Sequence, residues 1–449
     1  MKQDNLISTI TALATPVGQG SVGIVRLSGP SSLNIAIKML GFEPKPRYAH
    51  YTDFLRNDGS VIDKGIALFF NGPDSFTGED IIEFQGHGGA TIMYEILNET
   101  VSLGAELAEP GEFSKRAFLN GKIDLVQAEA ISDLIDANSK TAADSAMKSL
   151  KGEFSRRINN LNKKIIDLRV FLEATIDFSD EEIDFIEENQ VSSKIKSIHA
   201  EILSIYQASQ SGSVLREGFS IAIVGKPNAG KSSLLNALTE ENSAIVTDIA
   251  GTTRDLVRES IIVNGNIINI IDTAGLHETD DFVEKEGIKR ARDATEKVDL
   301  VIFVFDARDV SPDRNLLKIQ DMTKPIIYVK NKVDLTQEDI GIKTIEDDAY
   351  ISISAKNLAG IDILLNTLIT HIENKSSLEG VYLARKRHIE ALNKTMSSIE
   401  NAGNQLEMGS IELVAEDLRS ASQYLSQITG EFSSDDLLGE IFSSFCIGK

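Results

Sequence analysis

Eight consecutive residues, Gly225-Lys226-Pro227-Asn228-Ala229-Gly230-Lys231-Ser232, have the types and spacing to hold a chain of phosphates. An apolar run, Phe219-Ser220-Ile221-Ala222-Ile223-Val224, leads in, and a helical pattern, Ser233-Leu234-Leu235-Asn236-Ala237-Leu238, leads out. Strand, glycine-rich turn and helix in that order give a G-x-x-x-x-G-K-S match its physical meaning. Glycines let successive backbone N–H groups converge on phosphate oxygens, and the helix N-terminus adds partial positive charge. Asn228, Ala229, Gly230 and Ser233 therefore join the phosphate-binding set. Lys231 can reach the outer phosphates, and the Ser232 hydroxyl can ligate Mg²⁺.

Later motifs narrow the base to guanine. Asp272-Thr273-Ala274-Gly275 ends the run Ile267-Ile268-Asn269-Ile270-Ile271, where an Asp can hold Mg²⁺ through water and a glycine amide can meet the terminal phosphate. Asn331-Lys332-Val333-Asp334 ends the run Pro325-Ile326-Ile327-Tyr328-Val329. The Asp334 carboxylate can accept hydrogen bonds from guanine's ring N–H and exocyclic amino group, and adenine offers neither donor. Ser354-Ala355-Lys356, after Ile351-Ser352-Ile353, completes the base pocket. Gly251-Thr252-Thr253-Arg254-Asp255 lies between the first two motifs and supplies a switch threonine. Five motifs in this order specify a GTP-binding domain.

The chain has 449 residues, so two or three domains are expected. Lys and Arg number 45 against 68 Asp and Glu, a net charge of −23. Such a chain is a poor non-specific nucleic-acid binder, and an RNA substrate would need a local basic surface or a basic partner. One cysteine excludes an intramolecular disulfide framework and fits a reducing compartment. The N-terminus lacks a signal-peptide pattern, and no apolar run approaches the roughly 20 residues that span a bilayer. A soluble, cytoplasmic protein without membrane contact is expected.

The elements that must carry these motifs follow in order. Residues 1–120 read as a small α+β domain, with β-prone runs such as Gly23-Ile24-Val25-Arg26-Leu27 and Gly65-Ile66-Ala67-Leu68-Phe69-Phe70 between turn residues. Gly86-His87-Gly88-Gly89 within it reads as a tight turn or a close approach to a ligand, and His87 by itself reads as structural. From 121 to 215 the pattern is helical. Leu150, Phe154, Ile158, Leu161, Ile165, Leu168 and Leu172 make one apolar stripe that needs a partner. Asp180-Glu181-Glu182-Ile183-Asp184 reads as a solvated acidic turn. The nucleotide domain occupies 216–378, with Asn264-Gly265 as a hairpin signal. Helical periodicity resumes over 379–449, through Ile389, Leu392, Met396, Ile399 and Leu406, then Val414, Leu418, Ala421, Leu425 and Ile428. Two helical arms around a complete nucleotide domain imply insertion of that domain into one helical domain. Arg385-Lys386-Arg387-His388, at the re-entry point, reads equally as a solvated helix start or as an RNA surface.

The glycine loop with Asn228, the Gly251-Thr252-Thr253-Arg254-Asp255 segment and the ending Phe445-Cys446-Ile447-Gly448-Lys449 resemble the MnmE (TrmE) family of tRNA-modification GTPases, in the TrmE-Era-EngA-like potassium-dependent group. The likeness covers essentially the whole chain, including Pro110-Gly111-Glu112-Phe113, Arg116-Ala117-Phe118-Leu119-Asn120, Leu215-Arg216-Glu217-Gly218 and Thr429-Gly430-Glu431-Phe432. It implies a multidomain α+β and α/β fold. The parts would be an N-terminal α+β domain that binds a tetrahydrofolate derivative (5-formyl- or methylene-tetrahydrofolate) and dimerises, an all-α helical domain, and a Ras-like P-loop GTPase domain inserted into the latter. It also implies a homodimer, tRNA as the substrate, and an FAD-dependent partner, MnmG, in a heterotetramer-type complex. Together they would form 5-carboxymethylaminomethyl on the wobble uridine of certain tRNAs.

Residue by residue, the resemblance assigns folate contacts to Arg26, Glu83, Lys122 and Lys449. It assigns Mg²⁺ to Ser232 and Thr253, and K⁺ to Asn228, Thr247, Ile249 and Thr252, some through carbonyls. Asp248, Ala250 and Gly251 complete that nucleotide-contacting run. Lys231, Glu284 and Cys446 take catalytic roles, Glu284 as the group that orients the attacking water. His277 departs from the arginine of many relatives. Many GTPases orient water with a glutamine after D-x-x-G, and here Leu276 cannot do so. Hydrolysis therefore needs another water-positioning group and another cation, and Glu284 and an Asn228-bound monovalent cation would supply them. Without the resemblance, Glu284 reads as a solvated helix residue. A terminal cysteine usually reads as a small buried apolar residue, but in C-x-G-K a nearby Lys449 could favour its thiolate. Two other functions compete, a ribosome-assembly GTPase and a switch whose GTP state recruits a partner. The missing basic RNA-binding domain, the folate-like N-terminal segment and the terminal cysteine motif disfavour the first, and folate binding by residues 1–120 would separate the tRNA-modifying reading from both.

Overall fold

The computed structural model describes residues 8–137, 140–177, 188–241, 259–263, 266–272, 298–309, 312, 324–345, 348–376, 382, 384–431, 435–443 and 445–448. The chain begins with β1 (Ile10–Leu13), β2 (Gly23–Ser28), α1 (Ser32–Leu40), β3 (His50–Leu55), β4 (Val61–Phe70), β5 (Ile81–Gly86), α2 (Ala90–Ser102) and β6 (Glu106–Leu107). Helices α3 (Glu112–Leu119), α4 (Leu125–Ile135), α5 (Lys140–Leu150), α6 (Glu153–Asp177) and α7 (Glu188–Glu217) follow. Next come β7 (Phe219–Val224), α8 (Lys231–Glu241), β8 (Glu259–Val263), β9 (Asn266–Asp272), β10 (Leu300–Asp306), β11 (Ile326–Asn331), β12 (Gly341–Ile345), β13 (Asp348–Ser352) and α9 (Ile361–Ser376). Helices α10 (Lys386–Glu407), α11 (Ile411–Thr429) and α12 (Asp435–Ser443) close the chain. Two compact units result. One holds Met1–Ile135, Met147–Ile202 and Ala391–Lys449, the other Asp136–Ala146 and Leu203–Glu390.

In the first unit a six-stranded sheet has the order β3-β4-β5-β2-β1-β6. Alternation along each strand sends one set of side chains inward. Val25, Leu27, Phe54, Ala67, Ile82 and Phe84 pack beneath Ile35 and Met39 of α1 and Met93 and Ile96 of α2. The same alternation puts Arg26 and Glu83 on the opposite face, directly across from each other in the β2–β5 ladder. The helical stripe behaves as its spacing demands except at Leu150, which ends α5 and is only half-buried because the chain turns before α6 begins. Phe154, Ile158, Leu161, Ile165, Leu168 and Leu172 of α6 are buried, as are Val414, Leu418, Ala421, Leu425 and Ile428 of α11, and the two helices pack together. Burying each large side chain contributes about 1.5–3 kcal/mol. That term, rather than intrinsic helix propensity, joins segments about 250 residues apart in sequence. Asn162 Nδ2 donates to Ser426 Oγ at 3.1 Å across the seam.

The chain's end returns to the first sheet. Leu438, Ile441, Phe442 and Phe445 pack on Leu125 and Ala128, and the Gly111 N–H donates to the Cys446 carbonyl at 3.3 Å. Gly448 has φ 92°, and a Cβ there would stand 2.2 Å from the Leu13 carbonyl oxygen. Only glycine permits that approach.

In the second unit a seven-stranded sheet runs β12-β13-β11-β10-β7-β9-β8, parallel except at its two antiparallel edges. Its central strands are apolar on both faces, as a covered parallel sheet requires. Ile221, Ile223, Ile302 and Val304 pack under α8 and α9, while Ala222, Val301, Phe303 and Phe305 form the other face. The C-terminal ends of β7, β10 and β11 therefore share one edge, the usual place for ligands in open α/β sheets. Among the described residues no helix is long and apolar enough to cross a membrane.

Candidate nucleotide site and the tail of the chain

The turn after β7 is drawn toward the loop after β11 by two side chains. Asn331 is 2% exposed, and its Nδ2 donates to the Ala229 carbonyl at 3.1 Å. Its Oδ1 accepts the N–H groups of Lys332 at 2.8 Å and Ala355 at 3.0 Å, so one amide joins three loops. Lys332, in the left-handed region at φ 69°, donates through Nζ to the Asn228 carbonyl. Two consecutive carbonyls of the phosphate loop are thus held from the base side. In a trans peptide unit C=O and N–H point opposite ways, so anchoring the Ala229 carbonyl aims the Gly230 N–H away from the base loop. Gly230 has φ 93°, and a Cβ there would lie 2.3 Å from Asn331 Nδ2. The second glycine of the motif is therefore fixed by the asparagine of another motif.

Lys231, at the first turn of α8, folds its Nζ back onto the carbonyls of Gly225 and Lys226, each at 2.9 Å. Ser232 is exposed on the same turn. Asp334 sits in a single 3₁₀ turn, Val333–Leu335, with its carboxylate exposed and one oxygen accepting the Ser354 hydroxyl at 2.7 Å. Ser354 itself is buried, so it orients that carboxylate from below. A loop whose Gly230 N–H is turned away from the base loop, a lysine at the start of the following helix and an oriented carboxylate fit a guanine nucleotide. Asn228 is exposed with φ 62°. Of the residues assigned to metals, Ser232 and Asn228 belong to this constellation. Thr247 to Thr253, Thr273 to Gly275, Leu276, His277, Glu284, Asn264-Gly265, the acidic run 180–184 and Lys449 lie outside the described residues, as does the Asp272 side chain.

Asp306 was not singled out by any motif, yet it stands at the centre of this edge. It ends β10 in register with Asn331, and its Oδ2 lies 2.9 Å from Lys332 Nζ. Arg308 donates to the same carboxylate from Nε at 2.9 Å, from Nη2 at 2.8 Å and from its backbone N–H at 3.0 Å. The Arg308 side-chain bonds first, then its backbone N–H and Lys332, hold the Asp306 carboxyl well below the usual carboxylate range. The signal was present in the sequence as a lone acidic residue closing the apolar run Leu300–Phe305.

On the first unit's sheet, Arg26 Nε and Nη2 approach Glu83 Oε1 at 3.0 and 2.8 Å, and Gln85 Nε2 donates to Glu83 Oε2 at 3.2 Å. The tail meets this pair, since Arg26 Nη1 donates to the Gly448 carbonyl at 3.4 Å. Cys446 is exposed two residues earlier. Lys122 is not drawn to the pair. Its Nζ donates to the Pro73 carbonyl in the β4–β5 loop at 2.8 Å. His87 is 74% exposed and fastened to Asp63, through Nδ1 at 2.7 Å and its N–H at 2.8 Å, which makes it a turn residue. In the basic cluster His388 is buried and its Nδ1 accepts the Arg385 N–H at 3.1 Å, so that histidine belongs to the helix start.

Residues 9–122 match the family model described as GTP-binding protein TrmE N-terminus, and residues 125–446 match the MnmE helical domain. The chain is 58% identical over 444 residues to the tRNA modification GTPase MnmE of Ruthia magnifica subsp. Calyptogena magnifica, covering 98% of this chain and 99% of that protein. It is 60% identical over 444 residues, with the same coverage, to the tRNA modification GTPase MnmE of Vesicomyosocius okutanii subsp. Calyptogena okutanii (strain HA). Among solved structures, Era in complex with MgGDPNP and nucleotides 1506–1542 of 16S ribosomal RNA is 27% identical, over 40% of this chain and 66% of that chain, with a TM-score of 0.26.

The carboxylate of Asp334 generates a direct test of base choice. Asp334→Asn should weaken GTP binding by about 2–4 kcal/mol, because a charge-assisted acceptor is lost in the pocket. The same change should admit xanthosine triphosphate, whose base presents an oxygen where guanine has its amino group. Competitive titration of both nucleotides checks this, and unchanged GTP affinity would refute the assignment.

Proposed function

The chain belongs to the MnmE family of tRNA modification GTPases, and from that footing we propose that it couples GTP hydrolysis to modification of the tRNA wobble uridine. With an FAD-dependent partner of the MnmG type it forms the 5-carboxymethylaminomethyl group, working in the cytoplasm as a homodimer. Residues 1–120 bind a tetrahydrofolate derivative and dimerise, 216–378 bind GTP, and 121–215 with 379–449 make the helical domain. One observation carries the reading. The tail that bears Cys446 is tied to the Arg26–Glu83 pair, 422 residues away in sequence, through the Gly448 carbonyl. A pterin ring presents the same ring N–H and amino donors as guanine, so Glu83 suits it as Asp334 suits GTP. A one-carbon carrier and a thiol would then share one surface.

In the nucleotide site Lys231 and the loop N–H groups hold phosphate, while Ser232 and Thr253 hold Mg²⁺, which neutralises phosphate charge when bound. Asn228, with Thr247, Ile249 and Thr252, holds K⁺, whose charge takes the place of an arginine finger. Glu284 orients the attacking water, because Leu276 cannot.

GTP turnover should rise when potassium replaces sodium at fixed ionic strength, since sodium is too small for that ligand set. Asn228→Ala should erase the difference with little loss of nucleotide affinity, and a turnover indifferent to the cation in the unaltered chain would refute the potassium assignment. Cys446→Ser should hydrolyse GTP at close to the normal rate, because the thiol lies outside the nucleotide domain. It should nevertheless fail to restore wobble-uridine modification, read by nucleoside analysis of tRNA from cells lacking the gene. Full restoration would make the cysteine structural.

A further inference from the structure

Asp306 belongs to none of the nucleotide motifs, yet its geometry is specific. Lys332 bridges it to the phosphate loop, with Nζ 2.9 Å from Asp306 Oδ2 and also donating to the Asn228 carbonyl. A lysine side chain is flexible and its ammonium prefers water. A neutral carbonyl alone is a weak reason for it to stay, and a fixed carboxylate at the other side is a strong one. Arg308 supplies the fixing. Its three bonds set the plane of the Asp306 carboxylate and leave Oδ2 turned toward Lys332.

We infer that Asp306 is a positioning residue of the guanine-nucleotide site, holding Lys332 in the rotamer that ties the base loop to the phosphate loop at Asn228. The strands do not need it for that purpose. β10 and β11 are already laddered in parallel up to Asp306 and Asn331, and the Ala307 N–H donates to the Asn331 carbonyl at 2.7 Å. Removing the charge therefore breaks no ladder bond and loosens two side chains, of which only Lys332 reaches the phosphate loop. The consequence falls on the shape of the loop that receives phosphate, so it appears in nucleotide affinity. This inference rests on the family's GTP site and not on the potassium assignment.

The test is equilibrium binding of fluorescent N-methylanthraniloyl-GDP to the full chain with Mg²⁺. Binding by the unaltered chain reports the site itself, separately from Asp306. Asp306→Asn should raise Kd at least about tenfold. Asp306→Glu, which keeps the charge on a longer arm, should recover affinity to within about threefold. In a Lys332→Met background Asp306→Asn should change Kd less than about twofold, since residues acting through one contact are non-additive. Equal effects in both backgrounds, an Asp306→Glu loss as large as that of Asp306→Asn, or an Asp306→Asn Kd within about twofold of the unaltered chain would each overturn the inference. If Asp306→Asn does not purify folded, the double change Asp306→Ser with Arg308→Ser, which removes both members of the outer pair, is read by the same criteria.

Discussion

The nucleotide site depends on two backbone carbonyls being held. Those of Asn228 and Ala229 are gripped by Lys332 and Asn331, and the conformation at Gly230 follows from that grip. A peptide unit is rigid, so a carbonyl held on one side presents its amide on the other. Gly230 has to be glycine because the gripping amide occupies the place of its side chain. The sheet makes the grip possible. β7, β10 and β11 are neighbours and parallel, so the turn after one strand meets the loop after another at a common edge.

The same constraint explains how a chain of net charge −23 can bind a polyanion. Long-range attraction cannot do it, because the summed field repels nucleotide. The site works instead through short-range dipoles, from the Gly230 amide turned away from the base loop and from the start of α8. Its lysines stay local. Lys231 is folded onto the carbonyls of Gly225 and Lys226, and Lys332 is neutralised by Asp306. The first unit repeats the principle, with Arg26 balanced by Glu83 on a half-buried sheet face. At both places the cations are paired, and recognition is left to the geometry of the pairs.

Much of this was legible in the residues because local rules and the fold agree. The strand-turn-helix around Gly225 to Ser232 formed as patterned, and the stripes of α6 and α11 found each other because neither could stay exposed. Asp334 and Ser354 belong to separate motifs, and their hydrogen bond follows from β11 and β13 being adjacent. Other features needed three dimensions. Arg26 and Glu83 meet only through the register of β2 on β5, which no spacing between residues 57 apart reveals. Asp306 gave no motif signal, since its meaning lies in a lysine just past the end of the neighbouring strand β11. The place of Cys446 depends on Gly448 reaching Leu13 from the far end of the chain.

At the centre of this account is an edge of a parallel sheet that reads guanine through an oriented carboxylate. The most direct measurement is calorimetric titration of the full chain with GDP and with ADP, each with Mg²⁺. Both ligands offer the same phosphates to the same loop, so any difference belongs to the base. A site built around hydrogen bonds strongly rejects an analogue that lacks the donors, so GDP should bind at least about a thousandfold more tightly. Comparable affinities for GDP and ADP would contradict the account.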